Sequence, residues 1–104
     1  MAVNTKLLAR TAASTSSTTL YTQPSTSTVT VITNIAVANT TAATATFTIS
    51  IGGVAIQSGS SLSPNTTAYL DLKQVIPASD PVKTVTGFAS STGVNFHISG
   101  VEIV

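Results

Sequence analysis

The sequence predicts an all-β domain: a single antiparallel β-sandwich of about eight short strands, with either jelly-roll or immunoglobulin-like connections. Three observations predict it. Apolar residues recur at every second position over much of the chain, which is the period of a strand with one buried face. Turn signals built from Gly, Pro and Asn separate the alternating stretches at sandwich-like intervals. No stretch repeats an apolar stripe at helical spacing, and the abundant Thr and Ser favour strand or turn.

Residues 1–27 read as a Ser/Thr-rich N-terminal arm or edge strands, and residues 28–104 as the sandwich domain. Lys6-Leu7-Leu8-Ala9-Arg10 sets two leucines between two cations, and Thr11 to Thr19 is drawn only from Thr, Ala and Ser. With Leu7 and Leu8 to bury, this segment is expected to be an edge strand or an extended arm laid on a neighbour. Leu20-Tyr21 forms a second short strand. Gln23-Pro24-Ser25 supplies a turn, because proline fixes φ and donates nothing to a ladder.

From Thr28 to Ile56 the pattern predicts a three-stranded antiparallel meander. Val29, Val31, Ile35 and Val37 occupy odd positions, with Ile32 out of phase. After a turn at Asn39 to Thr41, the residues Ala43, Ala45, Phe47, Ile49 and Ile51 alternate with hydroxyl side chains. Gly52-Gly53, which can both reach positive φ at little steric cost, then reverse the chain into Val54-Ala55-Ile56.

Gln57 to Thr67, with Gly59, Pro64 and Asn65, reads as a surface crossing loop. Ala68, Leu70 and Leu72 alternate with Tyr69, Asp71 and Lys73, so one face is apolar and the other carries the densest cluster of functional groups. Val75-Ile76-Pro77 closes that strand, Ala78-Ser79-Asp80-Pro81 turns the chain, and Val82 to Ala89 forms another strand interrupted by Gly87. After the Ser90-Ser91-Thr92-Gly93 turn, the last strand changes phase: Val94, Phe96 and Ile98 are even, Val101 and Ile103 odd. A one-residue slip would expose half the strand, so a β-bulge at Gly100 is predicted.

Composition narrows the function classes. A chain of 104 residues is one domain near the small end, and 5% aromatic content with no Trp makes its core aliphatic and thin. Only 7% of residues are charged, against roughly 25% in ordinary soluble domains, and mean hydropathy is positive. The surface is carried by Thr, Ser, Asn and Gln, which hydrate well but do not repel neighbouring copies, so self-association or attachment to a larger assembly is expected. A net charge of +1 from scattered residues gives no electrostatic footprint for nucleic acid. The absence of cysteine excludes disulfides and thiolate metal sites. No apolar run approaches the ~18 residues of a membrane span, and the start lacks the basic-then-apolar order of a signal peptide. The chain is therefore expected to begin at its own N-terminus and to be made in a cytoplasm.

Catalytic patterns are weak, and the chain is not expected to be an enzyme. Serines, His97, Asp71, Asp80 and Glu102 could be combined into a Ser-His-Asp set, but no Gly-x-Ser-x-Gly elbow exists. A lone His97 beside Asn95 reads as a surface or interface residue, since one imidazole makes no metal site unless copies meet at a symmetry axis. Gly52-Gly53 is followed by no helix that would present amides to a phosphate. Asn39-Thr40-Thr41 and Asn65-Thr66-Thr67 match the glycosylation sequon and are read as turn chemistry. Tyr69, Asp71, Lys73, Asn95 and His97 could line a sugar-binding face, though only Tyr69 offers an aromatic platform. A hydrated sheet face or a subunit contact is the plainer reading.

Several stretches resemble small virion structural proteins of tailed bacteriophages: Leu7-Leu8-Ala9-Arg10-Thr11, Thr19-Leu20-Tyr21-Thr22, Val31 to Thr40, Leu70 to Ile76, Gly87 to Ser91 and Phe96 to Ile103. Such proteins include capsid decoration or cement proteins, which sit as trimers on the outer capsid, and small tail- or fibre-associated proteins. The resemblance implies a virion location on the capsid surface, the major capsid protein as partner, and a homotrimer. The alternative it leaves is a tail or fibre module that binds a carbohydrate or host surface. It carries over no catalytic, cofactor or metal residue. Contacts to the capsid or between subunits are expected at Leu7, Leu8 and Arg10 of the arm and at Tyr69, Asp71, Lys73, Asn95 and His97.

Overall fold

Eight strands account for most of the chain in a computed structural model that describes residues 2–104; Met1, the first residue of the expected arm, lies outside them. They are β1 (Val3–Ala12), β2 (Thr18–Thr22), β3 (Val29–Asn39), β4 (Ala45–Ile51), β5 (Val54–Leu62), β6 (Thr67–Ile76), β7 (Thr84–Ala89) and β8 (Val94–Ile103). Two four-stranded antiparallel sheets form, in the orders β1-β8-β3-β6 and β2-β7-β4-β5. Every connection crosses from one sheet to the other except the β4–β5 hairpin. An immunoglobulin sandwich would keep its first two strands in one sheet, so the order decides for the jelly roll. β1 and β2 are edge strands of different sheets.

The inner faces follow the period-two pattern. Ile35, Val37, Ile49, Ile76, Val85, Val94, Phe96 and Ile98 are all buried, and each removes from water an apolar side chain worth about 1.5–3 kcal/mol. Gly52 and Gly53 have φ of 60° and 81°, the two positive values that a tight hairpin between β4 and β5 requires.

Three expectations are corrected. The Thr28–Ile56 stretch is not a meander, because β3 and β4 belong to opposite sheets and only β4 and β5 pair. Alternation records one buried face, and a strand can satisfy it equally by crossing the core as by pairing with its predecessor. The expected loop from Gln57 is strand as far as Leu62, which is buried; Gly59, at φ 57°, lies within it.

The third correction concerns the change of phase. β8 keeps one phase throughout: Val94, Phe96, Ile98, Gly100 and Glu102 are all buried, while Val101 and Ile103 lie half-buried on the outer face. Gly100 lacks a positive φ and is not itself bulged. The extra residues sit on its neighbours: Leu8 in β1, between Leu7 and Ala9, and Thr33 in β3, between Ile32 and Asn34. Ile32, out of phase in the sequence, is therefore fully buried, together with Thr30. Gly100 is needed because the neighbours close in on it. A Cβ there would stand 2.4 Å from the Val31 carbonyl oxygen and 2.9 Å from Leu8 Cδ1.

Candidate functional site

Strand alternation turns the odd residues of β8 and their partners onto the outer face of the β1-β8-β3-β6 sheet. Cross-strand rows result. Arg10, His97, Ala36 and Tyr69 form one row from β1 to β6, and Ala12, Asn95, Ala38 and Thr67 a second. Leu7, Ser99, Asn34 and Asp71 form a third, beside which Asn34 Nδ2 donates to Asp71 Oδ1 at 3.3 Å. Lys73 is exposed two residues beyond Asp71 on the same strand. The structure thus gathers Leu7, Arg10, Tyr69, Asp71, Lys73, Asn95 and His97 on one face. Leu8 is the exception, because the bulge turns it partly inward to pack against the core.

This face has two halves. Toward Asn95 it is polar, with exposed Arg10 and His97 and with Tyr69 at 73% exposure. Toward the other end it is aliphatic: Val3 is 62% exposed and Val75 54%, and Val29, Val31, Val101 and Ile103 are half-buried between them. Shallow depressions open where the bulges disturb the ladder, one beside Thr33, Leu7 and Ser99 and another beside Thr33, Asp71 and Lys73. The cross-strand partners of His97 are Arg10 and Ala36, so no neighbouring strand offers a carboxylate to orient its imidazole. The arrangement is broad and shallow, suited to contact with another surface.

A second cluster, not anticipated from the sequence, lies inside the sandwich. The Tyr21 hydroxyl on β2 donates to Glu102 Oε2 on β8 and accepts from Thr30 Oγ1 at 2.9 Å, while Lys6 Nζ on β1 donates to Glu102 Oε1 at 3.0 Å. The Tyr21 hydrogen bond, opposed by desolvation and aided by Lys6, holds the Glu102 carboxyl below its ordinary value. Burial first, then the bond to Glu102, pushes the Tyr21 phenol up to about 12. The apolar pattern of β8 gives no sequence signal for this cluster, because it changes phase after Ile98; only the structure shows the even, inward face running on from Ile98 through Gly100 to Glu102.

The two sequons also differ. Asn39 is buried and its amide is fully engaged, donating to the carbonyls of Ala43 at 2.9 Å and Leu62 at 3.0 Å and accepting from the Thr41 amide at 3.0 Å. Asn65 is exposed in a left-handed turn at φ 54°. Asn65 is a turn residue, as its sequence setting implied, whereas Asn39 is the last residue of β3 and reaches the following turn only through its side chain.

No protein-family model matches this chain, and no curated protein matches it. Solved structures do. The chain is similar to one from the T13 particle of infectious bursal disease virus, at TM-score 0.54 and 13% identity, with 97% of this chain and 30% of the other covered. A chain of the Gx strain of that virus gives 0.52 and 16%, with 97% and 30% covered. The VP2 subviral particle of the virus gives 0.52 and 15%, with 97% and 32% covered. This chain spans about a third of the length of those neighbours. At such identity the likeness is one of fold, and it runs over nearly the whole of this chain.

Proposed function

We propose that this protein is a virion structural subunit, a decoration or cement protein that binds the outer surface of a phage head and stabilises it by bridging neighbouring subunits. The observation that carries the reading is the jelly roll itself, similar in fold to chains of an icosahedral virus particle and joined to a broad, weakly charged sheet face. The bacteriophage resemblance of the sequence supports a decoration role, the major capsid protein as partner and a homotrimer. Physics alone favours only closed symmetry. A subunit with few charges gains stability by covering the aliphatic half of its outer face, and several modest contacts per oligomer make attachment tight through effective concentration.

The exposure of Tyr69 on the polar half favours a second reading, a tail- or fibre-associated module that binds a carbohydrate or host surface. Co-sedimentation with purified heads and, separately, with tails and host envelopes distinguishes the two. Saturable pelleting with heads is expected. Pelleting with envelopes alone, competed by sugar, would reject the decoration role.

A further inference from the structure

β6 is a free sheet edge, hydrogen-bonded to β3 on one side only. Exposed edges are usually shortened or broken by proline, because unpaired backbone groups invite another strand. β6 is ten residues long, and Pro64 and Pro77 both lie outside it. Beneath it the sandwich is incompletely closed: a groove of about 330 Å³ between β5 and β6 is lined by the partly buried Ile56, Leu70 and Leu72 and, at its polar margin, by Gln57, Gln74 and the flanks of Tyr69 and Asp71.

The outward side chains of β6 read Tyr69, Asp71, Lys73, Val75, and all four are exposed. This order is self-complementary on reversal. With two copies antiparallel and Leu72 opposite Leu72, Asp71 faces Lys73 of the partner subunit, Lys73 faces Asp71 of the partner subunit, and Tyr69 faces Val75 of the partner subunit. An aromatic residue opposite a β-branched one and opposite charges in register are favourable cross-strand pairs. Moving the centre to Asp71 sets two aspartates opposite each other, and moving it to Lys73 sets two lysines opposite, so the charges select one register.

We propose that two copies of this chain join edge to edge through β6 about a two-fold axis at Leu72, continuing the β1-β8-β3-β6 sheet from one copy into the next. Main-chain hydrogen bonds and closure of the Ile56, Leu70 and Leu72 groove supply the affinity, and the Asp71 and Lys73 pairs fix the register. The contact is isologous, so it uses up both edges and closes at two. It deepens and rests on the self-association reading above, and it supplies the joint between units that a shell of three-fold oligomers needs.

The test is sedimentation velocity on the full chain and on Asp71→Lys and Lys73→Asp, each checked for β structure by circular dichroism. Each variant sets four like charges along the paired edges, and an association about tenfold weaker than wild type is expected. An equimolar mixture pairs two lysines with two aspartates and should regain wild-type association, which misfolded chains would not do. Independently, Leu72→Cys, in a chain without cysteine, should give a disulfide-linked dimer under mild oxidant, while Val54→Cys on β5 should not. If both charge variants associate as wild type does and the cysteine at 72 stays unlinked, β6 pairing is overturned while self-association stands. If the wild type is monomeric throughout, both fall.

Discussion

The Tyr21 hydroxyl, on an edge strand of one sheet, donates to the Glu102 carboxylate, on a central strand of the other. Thr30 and Lys6 complete the cluster, so four strands of both sheets meet at one buried carboxylate. Each polar atom there has a partner, which is what makes a buried charge tolerable. Tyr21→Phe would leave Glu102 and Thr30 each short of a partner, and a loss of about 1–3 kcal/mol is expected in chemical denaturation. A variant as stable as wild type would show that the cluster does not tie the sheets together.

The same cluster sets a pH dependence at both ends. The Glu102 carboxyl is held below its ordinary 4.5 in the fold, so its contribution is complete above 4.5 and is lost as pH falls through the folded value. The Tyr21 phenol rises from 10.0 to about 12, so its contribution is complete below 10.0 and fades as pH rises toward 12. That alkaline loss amounts to about 2–3 kcal/mol at 1.36 kcal/mol per pH unit. Melting temperature measured across the alkaline range should fall in wild type and fall less in Tyr21→Phe. Parallel curves for the two proteins would remove Tyr21 as the cause.

Gly100 is confined by backbone rather than by its own φ. Gly100→Ala puts a methyl 2.4 Å from the Val31 carbonyl oxygen, which a β-ladder cannot move aside without breaking its pairing. Destabilisation by about 1–3 kcal/mol is expected, as for other overpacked sites. By contrast Gly59→Ala meets no atom within 4 Å and is disfavoured only by its positive φ, so it should cost less. Equal melting shifts for the two would contradict this assignment of cause.

Asn39 tethers the β3–β4 crossover by donating to carbonyls in two separate segments. Asn39→Ala strips partners from both and should lower stability by about 1–3 kcal/mol. The buried amide also predicts no glycan at this position in a secreted eukaryotic expression test, whatever happens at exposed Asn65. Occupancy at Asn39 in a folded product would show that the crossover opens.

The sandwich was legible because alternation survives in β4, β6 and most of β8, where Phe47, Leu70 and Phe96 sit in phase with their strands. Phase was misread where the signal is shared between strands. Val101 and Ile103 look like core residues by chemistry, yet Glu102 between them faces inward, because Tyr21 and Lys6 arrive from distant parts of the chain to satisfy it. Ile32 carried the true sign of the bulge in β3, but a single residue out of phase does not say which of two paired strands holds the extra one. Connectivity was not legible either, since the pattern of β3 and β4 is the same whether they pair or cross. The outer-face residues could be chosen by alternation within Tyr69, Asp71 and Lys73; their joining with Arg10 and His97 required the register.

The central proposal is that the chain decorates the head of a virus particle, and a cryo-electron microscopy reconstruction of purified particles tests it most directly. Our reading expects density that accepts this jelly roll at symmetry-related positions on the outer surface of the head, with the outer face of the β1-β8-β3-β6 sheet or its β6 edge in contact with a neighbour. Particles that contain the chain only at the tail, or lack it altogether, would contradict that account.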